Sequence, residues 1–238
     1  MTLGLFLPIG WLFISALDIH PDWSRLTQAA AHSLGLGLGG ALATVLLATC
    51  LALSAERMPI TARISSLGYA TPGAVMAIGL LAPASILWRT VPGAVSGLGV
   101  GLLLLIYAYA ARLMAAALEP VEAGLTRVSP SMVAAARTLG RSEAGAALSV
   151  RLPVASGAIL TAILVVFIDV VKELPATLIL RPFNVDTLAV IADNYARDER
   201  LPHAGWPSLM IVALTLPAVI WLTRKITASR PGDPHGPG

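Results

Sequence analysis

Three charged side chains, Asp169, Lys172 and Glu173, stand inside the otherwise apolar stretch 165–180, and Pro175 follows them at once. On a continuous helix Asp169 would lie three residues from Lys172 and four from Glu173, so the spacing predicts one shared face. A charge turned to lipid at the bilayer centre costs about 2.5–3.5 kcal/mol or more, so that face should look into a helix bundle or a water-filled path. Lys172 can pair with either carboxylate, leaving a net negative patch, and Pro175 should weaken the helix one turn further on. A negative, kinked, inward face suits a cation pathway or gate. It suits equally a structural ion pair that locks helices together, because both uses require inward charges.

The elements that carry these residues are hydrophobic. Of 238 residues, 56% are hydrophobic and 12% charged, and the mean hydropathy is +0.80. That composition belongs to a polytopic, all-α membrane bundle rather than a soluble domain. Six apolar stretches approach the ~20 residues that a span needs, at about 3–17, 28–54, 67–88, 94–117, 154–180 and 206–223. Together they predict one six-span transmembrane domain over 1–228, followed by a disordered tail at 229–238 that is rich in Pro and Gly. With a cytoplasmic N-terminus, nine Arg and Lys fall in inside loops and five in outside loops, which favours that orientation.

Several chemistries are excluded. The lone Cys50 lies within an apolar span and reads as packing, and the four histidines have no metal-ligand spacing. No metal site and no bound cofactor is assigned. The only lysines, Lys172 and Lys225, do not follow the glycines of a phosphate-binding loop, so ATP hydrolysis is not expected on this chain. No catalytic dyad or triad suggests an enzyme, and the basic balance is a membrane-topology signal rather than a nucleic-acid one. The glycines at 35–40 and 97–101 carry a GxxxG spacing that lets helix backbones approach closely. Thr71-Pro72-Gly73 should kink or break the third span.

The longest inside connection, about 118–153, has structure of its own. Ser129-Pro130 is a helix start, 134–139 continue with good helix formers, and Gly140 fits the left-handed residue that ends a helix. A second short helix, about 142–150, should run up to Leu152-Pro153. A loop so built usually meets a partner; the bland alternative is an amphipathic hairpin lying on the membrane.

This loop resembles the EAA loop of ABC-importer permeases. Ala135-Ala136, three residues, Gly140, nine residues, Val150, one residue and Leu152-Pro153 follow that pattern, with Ala134 where the family has Glu and Val150 where it has Ile. The stretch Lys172-Glu-Leu-Pro-Ala-Thr, continuing to Asp186-Thr-Leu-Ala189, is similar to ferric-iron permeases, as is 67–75. The resemblance implies a multi-pass protein of the bacterial inner membrane, matching the second six-span half of permeases that are commonly two fused halves; the short first span agrees with a fragment or split permease. It implies that Ala135, Ala136, Arg137, Gly140, Leu152 and Pro153 form a loop docking a separate ABC ATPase present in two copies. It also implies a periplasmic substrate-binding protein, and a second permease half or a homodimer. ATP would bind the partner subunit, and Asp169, Lys172, Glu173 and Pro175 would line the pathway or gate. Ferric iron is the implied cargo, with thiamine, polyamines or phosphonates as alternatives. A secondary transporter using the three charges as an ion relay leaves the structured loop without a purpose. A membrane scaffold leaves the charges unexplained.

Overall fold

The computed structural model describes residues 2–17, 19–54, 68, 71–90 and 97–228. Among them every regular element is helical. In chain order they are α1 (Thr2–Leu17), α2 (Trp23–Ser54), α3 (Gly73–Thr90), α4 (Gly97–Leu125), α5 (Pro130–Thr138), α6 (Glu143–Ala146), a π turn (Ala147–Arg151), α7 (Leu152–Val171), α8 (Pro175–Leu180), α9 (Leu188–Arg197), a 3-10 turn (Leu201–Ala204) and α10 (Gly205–Ala228). Four helical runs among the described residues are long and apolar enough to cross a membrane, Trp23–Ser54, Gly99–Leu125, Glu143–Val171 and Leu201–Lys225. The shorter apolar helices Phe6–Leu17 and Gly73–Ile86 coincide with the expected first and third spans. Large apolar side chains such as Phe6, Leu38, Leu42 and Leu46 point outward, as a lipid-facing surface requires. The expected disordered tail, and most of 67–70, lie outside the described residues.

The chain divides into two compact units. In the first, α9 and the start of α10 pack on the start of α2 around Leu26, Ala29, Leu188 and Ile191. The buried Ser33 hydroxyl accepts the Leu188 N–H at 2.9 Å, so α2 satisfies a backbone donor that the first turn of α9 cannot. The Trp206 indole N–H points at the carbonyl oxygens of Ala16 and Ile19, at 3.0 and 3.2 Å, and ties α10 to the end of α1. Gly205 permits that approach, since a Cβ there would stand 2.9 Å from the Leu12 carbonyl oxygen.

The second unit holds most of α2, with α3, α4, the loop helices, α7 and α8. Its core runs along α4 through Leu105, Ala108, Tyr109, Leu113, Ala117, Leu118 and Val121. This stripe carries the helix through Pro120 to Leu125, eight residues beyond the expected end at 117. An interior proline costs ~3 kcal/mol; the burial of Val121, and of Gly124 against α7, offsets it. A Cβ on Gly124 would lie 2.5 Å from the Ala158 Cβ, so only glycine lets the two helices meet there. The close approach on α2 falls at Gly40, where a Cβ would stand 3.1 Å from the Tyr109 ring and 3.3 Å from Val170; Gly35 has no neighbour within 4 Å.

Of the two expectations about proline, one fits and one is corrected. At Thr71-Pro72-Gly73 the described residues show a break rather than a kink: α3 begins at Gly73, with the Met76 N–H donating to the Pro72 carbonyl. Pro153 does not end the second loop helix, because the helical run from Glu143 continues to Val171. Pro153 has no N–H, and its ring crowds the carbonyl one turn back. The chain absorbs this by widening the preceding turn, where the Leu152 N–H reaches back to the Ala147 carbonyl.

Candidate functional site

The loop between α4 and α7 is a helix, a left-handed turn and a second helix. Ser129 is the N-cap of α5 with Pro130 in the first turn, but its side chain makes no capping bond to the backbone. Its hydroxyl instead meets that of Ser131 at 2.9 Å. At the other end the Gly140 N–H donates to the Arg137 carbonyl at 3.0 Å and the Arg141 N–H to the Ala136 carbonyl at 3.1 Å. Gly140 has φ +82°. These two bonds and that dihedral make a Schellman turn. Arg137, in the last turn of α5, also places its charge at the negative end of the helix dipole. Ser142 then caps α6 by accepting the Gly145 N–H at 3.1 Å.

The turn orients what the loop shows. Ala136 and Ala146 are buried where α5 and α6 fold together, while Ala135, Arg137 and Gly140 are exposed. Leu152 is half-buried and Pro153 exposed at the start of α7. Three large apolar side chains, Met132, Leu139 and Leu148, stand out into solvent on the same loop, Leu139 at 84% exposure. Exposed apolar groups of this kind mark surfaces that meet another protein or a membrane. The sequence reading missed them; apolar residues flanking the turn glycine were the available signal.

The three charges lie differently from expectation. Helix α7 stops at Val171, so Asp169 stands on its last turn while Lys172 and Glu173 fall in the unwound stretch before α8. They share no helix face: Lys172 is exposed, Asp169 half-buried and Glu173 buried. Pro175 does not kink a helix but opens α8. The physical cause is local, because a proline pushes the preceding residue, Leu174, out of the helical region.

The helices on either side of this break both meet α4. Val170, on the last turn of α7, neighbours the same Cβ position of Gly40 as the Tyr109 ring. On α8 the Thr177 hydroxyl meets the Tyr109 hydroxyl at 2.7 Å. Further along, Pro182 lies against Gly101, where a Cβ would stand 2.8 Å from its ring. Gly97 to Tyr109 is twelve helical residues, about 18 Å of helix. Helices α7 and α8 thus both lie along α4, separated in the chain by the non-helical residues 172–174. In a spanning segment, unwound backbone is tolerated only against protein or a water-filled cavity. Among the described residues, no group of His, Cys, Asp and Glu is arranged to hold a metal ion.

The profile of the family described as binding-protein-dependent transport system inner membrane component matches residues 59–229. The Fe(3+)-transport system permease protein FbpB 2 of Haemophilus influenzae is 28% identical over 214 residues, covering 86% of this chain. The chain spans 40% of that relative's length.

Proposed function

The chain belongs to the family of binding-protein-dependent transport system inner membrane components, and we propose that it moves ferric iron inward as the membrane subunit of an ATP-driven importer. It is a multi-pass permease component, not an enzyme. In this reading the loop centred on Gly140 docks a separate ATPase subunit that binds and hydrolyses ATP, and a periplasmic binding protein delivers the cargo across the bacterial inner membrane. The observation that carries it is the Schellman turn at Gly140, which presents Met132, Leu139 and Leu148 on a loop inside the family-matched residues. A secondary transporter needs no such surface. Iron is supported by the likeness to an Fe(3+)-transport permease and by two carboxylates, Asp169 and Glu173, at a break within a span. Carboxylate oxygens are the ligands that hard cations prefer. Asp169, Lys172, Glu173 and Pro175 are thus the pathway residues in this reading.

The test is uptake into vesicles holding the reconstituted complex, with radiolabelled ferric iron on its binding protein. Uptake should require both ATP and the binding protein. Uptake driven by an ion gradient without ATP removes the importer reading. ATP-driven uptake of thiamine, a polyamine or a phosphonate in place of iron keeps the importer and removes the cargo.

A further inference from the structure

Helix α9 ends in a turn that glycine usually makes. The Arg200 N–H donates to the Tyr195 carbonyl at 2.9 Å and the Glu199 N–H to the Ala196 carbonyl at 3.2 Å, with Glu199 at φ +57°. This is a Schellman turn with glutamate at its left-handed position. It folds Arg200 back over its own helix. The guanidinium carbon stands 5.5 Å from the centre of the Tyr195 ring, and Nη2 lies 2.8 Å from His203 Nε2. A guanidinium only donates, so His203 accepts and is neutral. Arg200 is thus held by two uncharged groups.

Arg200 lines a cavity of about 290 Å³ together with Arg25, Asn194, Tyr195, Arg197 and Asp198, all within the first unit. Three cations face it against one carboxylate. Carboxylates that do not line the cavity steady two of the arginines: Asp186 lies 3.7 Å from Arg25, and Asp193 accepts from Arg197 Nε at 2.6 Å. Each contact engages one nitrogen of a group with five N–H donors, which leaves donors for a ligand. Helix electrostatics account for Arg197 and Arg200, at the negative end of α9, but not for Arg25, on the first turn of α2, where a cation is disfavoured.

We propose that this cavity binds a phosphate group, as the free anion or as the headgroup of a membrane lipid. One guanidinium fork satisfies a planar carboxylate, whereas three of them, from two elements, suit a tetrahedral oxyanion with several oxygens to fill. Trp23 and Trp206 pack edge to face at 5.1 Å beside it, near the starts of two runs able to cross a membrane. Aromatic side chains of that kind sit at headgroup depth, within reach of either source. The inference goes beyond the transport reading and does not need it.

The test is calorimetric titration of the purified chain in dodecyl maltoside with inorganic phosphate, against chloride at equal ionic strength. A parallel arm counts phosphatidylglycerol molecules retained in native mass spectra. Arg200→Gln and Arg25→Gln should each weaken binding about ten-fold or more, the order of one charge-assisted hydrogen bond. Asp198→Asn removes the carboxylate from the wall and should tighten binding roughly three-fold, a gain that poor folding cannot imitate. Arg224→Gln, an exposed arginine near the other end of α10, should bind like the parent. Phosphate binding that added phosphatidylglycerol leaves unchanged identifies the free anion as the source. Retained phosphatidylglycerol that Arg200→Gln sheds and excess phosphate displaces identifies the headgroup. No binding in either arm, binding that the Arg25 and Arg200 variants leave intact, an equal loss in Arg224→Gln, or no gain in Asp198→Asn overturns the site.

Discussion

Gly140 is the residue on which the loop turns. At φ +82° an L side chain costs about 1–2 kcal/mol, and nothing stands within 4 Å of its Cβ position. The penalty on substitution is therefore backbone strain rather than a clash. Gly140→Val should tilt α6, lower uptake and reduce ATPase stimulation several-fold, while the amount of protein in the membrane stays near normal. Gly140→Asn tolerates the left-handed region and should retain most of the activity. Equal losses in both variants would show that side-chain bulk, not backbone conformation, matters at the turn. Glu173 invites a different substitution. It is 5% exposed, so Glu173→Gln preserves its shape and removes its ionisable group. If the carboxylate serves the cation path, iron uptake per molecule should fall at least ten-fold with normal expression. Uptake matching the parent assigns Glu173 a packing role.

At the scale of elements, proline separates what the sequence reveals from what it hides. Leu174-Pro175 and Thr71-Pro72 both mark breaks, and the rule that a residue before proline avoids the helical region was sufficient to find them. Reading 154–180 as one continuous span obscured the first, and with it the true placement of Lys172 and Glu173. Pro120 and Pro153 carry the same local signal, yet the helices run through them. Tertiary burial decides these cases: Val121 is fully buried and Gly124 sits on Ala158, contacts no local pattern discloses. The helix–glycine–helix loop was legible because each of its parts is local, from the Ser129-Pro130 start to the Gly140 turn. The Tyr109–Thr177 pair was not, since its partners are 68 residues apart. The α4–α7 contact yields a prediction of its own. Gly124→Ala places a methyl group 2.5 Å from the Ala158 Cβ, and overpacking of this kind costs typically ~1–3 kcal/mol. The variant should unfold at lower temperature in detergent, and Ala158→Gly added to it should recover much of the loss. A pair of independent losses would mean that the two helices do not meet at these residues.

At the scale of the whole molecule, the chain presents a single helix–Gly140–helix loop among its described residues. It spans 40% of the length of a permease relative. In the proposed reading the importer works with two ATPase subunits, each engaged by its own loop. One copy of this chain supplies one. An active complex should therefore contain two such loops, from two copies of the chain or from one copy and a sister permease subunit, together with two ATPase subunits. A C2 dimer would be the simplest closed arrangement. The measurement is the mass of the detergent-solubilised, transport-competent complex, by light scattering corrected for bound detergent, with subunit ratios from quantitative amino-acid analysis. Mixing parent chain with excess Gly140→Val chain sharpens the result. If two copies must act together, activity should fall faster than the parent fraction, approaching its square. Activity that falls in simple proportion to the parent fraction, in a complex holding one permease chain and one ATPase, would show that a single loop suffices and would refute the paired arrangement.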